Sequence, residues 1–123
     1  MKMPDGYQTV MPYLILSDAS GFLTFTKKVF NAVEKQITMS DDKRIRHAEL
    51  DIGGSVIMFA DYTDQYEPQP ANLFVYVENA DNTYKIAVDA GASVINEPSD
   101  QSYGRTCGVK DPSGNTWWIT SIK

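Results

Sequence analysis

The chain has one histidine, His47, and one cysteine, Cys107, in 123 residues. A lone cysteine allows no disulfide within the chain, so a reducing cytoplasm is the expected setting. A lone histidine excludes every metal site that needs two within one chain. Two-His zinc fingers, His-rich catalytic zinc sites and the two-His-one-carboxylate iron triad all fall away. Two copies of His47 could meet only across a dimer interface. Positive charge is also scarce: 11 Lys and Arg stand against 16 Asp and Glu, a net charge of -5. That balance argues against a nucleic-acid partner, which needs a basic face to neutralise phosphates, and against docking on an anionic membrane. No apolar run approaches a membrane span, and Met1-Lys2-Met3-Pro4-Asp5-Gly6 lacks the apolar centre of a secretion signal.

What is present fits a folded domain. Hydrophobic residues make up 42% and charged residues 22%, an ordinary globular balance. A chain of this length buries roughly two-thirds of its unfolded surface, enough for a real core. Val10 to Ser17 is rich in strand formers, with Pro12 marking an edge or a beginning. Ser17 or Asp18 can cap a helix in which Phe22, Phe25, Thr26, Val29 and Phe30 share one face. Strands are predicted over 33–39 and 46–52, then over 55–60 after the two-residue turn Gly53-Gly54. Tyr62 to Pro70 carries two prolines and no periodicity, and reads as a linker. Beyond it a strand over 72–77 leads into a helix over 80–90 with Tyr84, Ala87 and Val88 on one face, closed by Gly91. Short strands follow over 93–96 and 105–110, and a last one over 115–121, entered by the turn Asp111-Pro112-Ser113-Gly114.

The order β-α-β-β-β therefore occurs twice, at an offset of about 60 residues. Leu14-Ile15-Leu16-Ser17-Asp18-Ala19 falls on Val75-Tyr76-Val77-Glu78-Asn79-Ala80, and Gly54 to Phe59 on Gly114 to Ile119. Two such units suggest an α+β fold: two pseudo-symmetric βαβββ modules forming a curled mixed sheet around a concave space. Chain 1–123 is then a single domain, with modules over about 7–62 and 71–123 and the linker over 62–70.

This duplicated plan resembles the vicinal oxygen chelate superfamily of glyoxalase I, bleomycin-resistance proteins and extradiol dioxygenases. Within it the PhnB-like, glyoxalase/bleomycin-resistance group is the nearer match. The residues that carry it are Thr9 to Leu14 (TVMPYL), Lys28-Val29-Phe30, His47 to Gly53 with Val56-Ile57-Met58, Asp100 to Arg105 (DQSYGR) and Asp111 to Trp117 (DPSGNTW). The resemblance implies a homodimer and, in metal-dependent members, one divalent ion held by four side chains, typically His, Glu or Gln. Those positions here align with Met11, Met58, Asn72 and Trp118. Thioether sulfur suits a hard ion poorly, and an indole N–H has no lone pair to give. Glyoxalase and dioxygenase metal chemistry therefore does not transfer, and neither metal nor cofactor is expected.

Strand alternation indicates what takes the metal's place. Leu14, Leu16, Leu73, Val75, Val77, Ile57, Phe59, Trp117 and Ile119 should pack under the helices. Met11, Tyr13, Val56, Met58, Asn72, Phe74, Tyr76, Thr116 and Trp118 should face the concave space, a cup suited to a flat, partly apolar small molecule. Mutual filling of these side chains, or a dimer interface, is the plainer use of the same face. His47, Glu49 and Asp51 alternate on one strand face, as an acid/base pair or as a polar, water-facing edge. Tyr103-Gly104-Arg105 combines a tight bend with a planar fork for a ligand carboxylate or phosphate, unless Arg105 pairs with Asp100 or Glu97. Cys107 reads as buried and inert. Lys27-Lys28 and Lys43-Arg44-Arg46 read as solvated faces. Asp61, Asp64 and Glu67 are linker chemistry, or a preference for a cationic guest.

Three functions follow. The first is a metal-free small-molecule-binding protein contacting its ligand through Met11, Tyr13, Met58, Asn72, Phe74, Tyr76, Tyr103, Arg105, Thr116 and Trp118. The second is a lyase- or isomerase-like enzyme centred on His47, Glu49 and Arg105. The third is a structural dimer without a ligand.

Overall fold

The structure is a computed structural model and describes residues 1–122. Its elements run β1 (Tyr13–Leu16), α1 (Ala19–Phe30), β2 (Val33–Met39), β3 (Ile45–Ile52), β4 (Ser55–Asp61), β5 (Asn72–Tyr76), α2 (Ala80–Asp89), β6 (Ser93–Gln101), β7 (Gly104–Lys110) and β8 (Thr116–Ser121). The repeat read from sequence is therefore the fold. Each module keeps its own four-stranded sheet, in the orders β1-β4-β3-β2 and β5-β8-β7-β6. In each, the first strand runs parallel to the fourth and the remaining pairs are antiparallel.

Local chemistry sets the boundaries. Of the two candidate caps, Asp18 starts α1, its carboxylate accepting from the Gly21 amide at 3.0 Å, which satisfies an otherwise free helix-end donor. Asn31 ends the helix in a left-handed conformation (φ 56°). Asn79 caps α2 through the Asn82 amide. Gly53 and Gly54 both take positive φ, 58° and 96°, as the tightest antiparallel hairpin turn requires. β1 is shorter than predicted, starting at Tyr13. Pro12 lacks an N–H and joins the sheet only through its carbonyl, which accepts from Met58 N at 2.9 Å. β6 is longer than predicted, 93–101. As an edge strand it tolerates Pro98 and a mostly polar sequence.

The two sheets share one core, and the helices lie in it. Leu14, Leu16, Ile57 and Phe59 from one module and Trp117 and Ile119 from the other are all buried there, as alternation predicts. Leu73, Val75 and Val77 pack against it. Phe22 of α1 sits 5.0 Å from Phe59 and 6.3 Å from Trp117, and Phe30 sits 4.5 Å from Trp117. Each such side chain contributes about 1.5–3 kcal/mol by leaving water. Of the predicted α2 face, Ala87 is buried and Tyr84 packs on the core, whereas Val88 is exposed. Asp111 organises the last turn: its buried carboxylate accepts from Ser113 N, Asn115 N and Trp117 Nε1, the last at 2.8 Å. With the helix-side faces joined in one core, the opposite face of each sheet points away from it.

Candidate functional site

Most of the side chains that alternation predicts for the concave space lie on the outward faces of the two sheets. The register aligns one row across each sheet. In the first module Tyr13 lies beside Met58, and Met58 beside Glu49. In the second Phe74 lies beside Trp118, and Trp118 beside Gly108. These rows occupy equivalent places but line different hollows. Tyr13 borders one of about 980 Å³ formed by the first module and the linker, with Arg44, Tyr62 and Tyr66. Phe74, Tyr103 and Trp118 border one of about 610 Å³ formed by the second alone, with Thr106 and Glu97.

The second module's face is aromatic. Phe74 is 51% exposed, Tyr76 65% and Tyr103 57%. Phe74 meets Tyr76 edge-on at 5.2 Å and Tyr103 at 6.4 Å. Trp118 is fixed within this group. Its indole N–H donates to Asn72 Oδ1 at 3.2 Å, and its ring lies so close over Gly108 that a Cβ there would meet Trp118 Cζ3 at 2.5 Å. Gly108 is thus a site residue that alternation could not reveal, because it contributes only the absence of a side chain. Thr116 stands beside Asn72 on the same face.

The first module's face is polar and internally bonded. Glu49, 4% exposed, accepts from the Tyr7 hydroxyl through Oε1 and from His47 Nε2 through Oε2 at 2.7 Å. The Tyr13 hydroxyl reaches His47 Nδ1 at 3.0 Å. Burial pushes the Glu49 carboxyl up, but the hydrogen bonds from Tyr7 and His47 and the charges of His47 and Lys35 outweigh it, leaving the group below its usual range. The Tyr7 phenol is raised by its hydrogen bond to Glu49, then by burial and that carboxylate's charge. The Tyr13 phenol is raised by burial and by Glu49. Tyr7 enters from 42 residues upstream, and no local motif announces it. Met58 is half-buried in the centre of the row, and Met11 is half-buried ahead of β1. Val56, predicted to line the cup, is fully buried; the Gln8 amide brackets its backbone with two hydrogen bonds.

The predicted grouping of His47 and Glu49 with Arg105 does not form within the chain. Arg105 belongs to the second module, and its fork closes on Asp81 of α2 with two bonds of 3.0 Å, with Asp100 at 3.5 Å. Those donors are engaged, so Arg105 holds α2 to its sheet. Asp100 is a partner that nearness in sequence offers; Asp81 lies 24 residues away and only the fold brings it to Arg105. Arg44 is likewise not simply solvated: it donates to the Tyr62 carbonyl and stacks 4.4 Å over that ring. Asp61 binds the Ala19 and Ile45 amides, so its role is structural. Cys107 is buried, and burial pushes its thiol up to about 11.

Met11, Met58, Asn72 and Trp118, the positions aligned with metal ligands, offer two thioethers, an indole N–H and one carboxamide oxygen. That oxygen already accepts the indole proton. This donor set does not fit a hard divalent ion. Among the described residues no group of three or more His, Cys, Asp or Glu could hold a metal.

A family model, that of the Glyoxalase/Bleomycin resistance protein/Dioxygenase superfamily, matches residues 8–119. An uncharacterised protein of Mycobacterium bovis is 30% identical over 86% of this chain and 78% of its own length. Among solved structures, a PhnB protein from Bacillus cereus superposes with a TM-score of 0.74 at 16% identity, covering 94% of this chain and all of that one. TnmS3, an antibiotic binding protein from a Streptomyces species, superposes with a TM-score of 0.73 at 14% identity over 95% of this chain. At such identities the structural likeness establishes the fold.

Proposed function

Given that the chain belongs to the Glyoxalase/Bleomycin resistance protein/Dioxygenase superfamily, we propose that it is a metal-independent binding protein for planar small molecules. The ligand sits on the aromatic outward face of the second module. One observation carries this reading: Phe74 and Tyr103 stand more than half exposed in one hollow with an indole held in place by Asn72 and Gly108, and Tyr76, also more than half exposed, packs on Phe74. Aromatic surface left in water in one patch marks a place where something binds. A fixed ring is also a better stacking platform than a mobile one, because less side-chain freedom is lost on binding. The antibiotic-binding neighbour shares the fold, and Glu97 beside the hollow with the net charge of -5 favours cationic guests.

The same reading makes the protein a homodimer. Two-fold pairs are the commonest assembly of soluble chains. Modules over 7–62 and 71–123 act as one domain through the shared core; Lys123 lies outside the described residues. Cytoplasmic placement accords with the single buried thiol, and no helix among the described residues is long and apolar enough to cross a membrane.

Isothermal titration with proflavine, a planar aromatic cation, tests the reading in the presence of EDTA, alongside native mass spectrometry with Ni²⁺, Zn²⁺ or Mn²⁺. Saturable binding to a dimer that takes up no specific metal is expected. One tightly held metal per subunit, or binding only after metal is added, overturns metal independence. A dimer that binds no planar compound is a structural protein.

A further inference from the structure

The polar face of the first module has no part in stacking a planar ligand, yet its groups are chained in one direction. Glu49 is buried and Tyr13 is half exposed beside the 980 Å³ hollow, with His47 between them. A carboxylate held ionised can only accept, so His47 Nε2 carries the proton on the Glu49 side. In the neutral imidazole Nδ1 then has a free lone pair, and Tyr13 donates its hydroxyl proton to it. The Tyr13 oxygen keeps its own lone pairs for a donor arriving from the hollow.

We propose that Tyr13, His47 and Glu49 form a proton-accepting relay that binds a small molecule carrying an acidic hydroxyl, a phenol or an enol, and holds it as the anion. The step is a proton transfer and balances without a co-reactant. The ligand O–H bond breaks and its electron pair stays on the ligand oxygen. That proton joins Tyr13 Oη as the Tyr13 proton moves to His47 Nδ1. The imidazolium so formed is held by Glu49 through Nε2–H, and Tyr7 donates to the other carboxylate oxygen. Tyr13 touches the ligand; His47 and Glu49 act through it as positioning residues.

Thr38 of β2 stands beside His47 in the sheet without charge. Lys35 lies over the Tyr7 ring at 4.9 Å, on the Glu49 side. Arg44, Arg46, Asp41, Asp42, Asp61 and Asp64 line the hollow. Asp61 is taken up by two backbone amides, and Asp42 by Ser40 and the Arg44 amide. The inference goes beyond the ligand reading, since every member of the relay lies in the first module.

The test is a spectrophotometric titration of 4-nitrophenol, whose anion absorbs in the visible, with and without the protein. The expected result is a bound phenol whose ionisation midpoint lies about one pH unit below that of the free compound, as an adjacent cation produces. Tyr13→Phe and His47→Ala should each abolish the shift, with an unchanged far-ultraviolet spectrum as the check on folding. Tyr13→Phe decides the matter if loss of His47 unsettles the sheet. The Trp118 indole resonance should not move when the phenol binds. A phenol that does not bind at millimolar protein, binds with an unshifted midpoint, keeps its shift in both variants or moves the Trp118 resonance overturns the relay. Proflavine binding that survives any of these outcomes leaves the ligand reading standing.

Discussion

At the centre of the first sheet's outward face stand Tyr13, Met58 and Glu49; at the same place in the second stand Phe74, Trp118 and Gly108. Strand order, direction and register around these rows are alike. The first row uses its polar atoms on one another, ending at a buried carboxylate. The second has almost no polar atoms to satisfy, and it holds one large ring flat by removing the side chain beneath it. The repeated backbone thus fixes where a site can be, and three positions per sheet decide whether it is a hydrogen-bonding surface or a stacking one. The four aligned positions Met11, Met58, Asn72 and Trp118, which lie within or beside these rows, make a poor donor set for a hard metal ion.

Breaking this comparison begins at the pair Trp117 and Trp118, sequence neighbours on opposite sides of one strand. Trp117→Ala empties part of the shared core and removes one of the hydrogen bonds to the buried Asp111 carboxylate. It should cost about 3–5 kcal/mol in chemical denaturation. Trp118→Ala should instead cost about 2 kcal/mol of proflavine binding, the scale of an aromatic hot spot, in calorimetry. Equal effects of the two on stability would mean that Trp118 is core rather than platform.

The next effect tests the polar row by pH. In the folded state Glu49 binds its proton less readily than an ordinary carboxyl of 4.5. Its contribution is therefore fully present above the unfolded value and is lost as pH falls through the folded one. Glu49→Gln should lower stability at neutral pH by about 1–2 kcal/mol, since a buried hydrogen-bonded charge is removed. It should also make the acid limb of the stability curve shallower. An unchanged acid limb would place Glu49 outside the network.

Gly108→Ala sharpens the aromatic side, because the new methyl forces Trp118 to tilt. Proflavine affinity should fall about tenfold, equal to some 1.4 kcal/mol, with the fold retained in its amide spectrum. The smallest effect belongs to Phe74→Ser. At 51% exposure it should change stability by no more than about 0.5 kcal/mol, while weakening the ligand measurably.

Much of this was legible in the sequence because it rests on periodicity. Leu14, Leu16, Ile57, Phe59, Trp117 and Ile119 alternate as a half-buried sheet must, and Gly53-Gly54 admits few other turns. Periodicity marks only 93–96 of the strand over 93–101, because an edge strand needs no apolar face, and Ser, Asn, Glu and Pro do not announce one. Which strand residues lie on the outward faces mostly follows from the same alternation, Val56 excepted. Their partners do not. Asn72 meets Trp118 across 46 residues and Tyr7 meets Glu49 across 42, distances at which only the folded chain brings groups together. Arg105 shows the cost of this: its type suits an anion, but its place opposite Asp81 commits it to structure.

The two tryptophans also give the most direct test of ligand placement. In a ¹H–¹⁵N spectrum they yield two indole N–H signals, one from the buried Trp117 bound to Asp111 and one from the outward Trp118 bound to Asn72. Proflavine titrated in the presence of EDTA should move the Trp118 signal saturably and leave the Trp117 signal in place. Movement of neither signal while proflavine binds, or movement of Trp118 only once a divalent metal is added, would contradict a metal-independent aromatic platform on the second module.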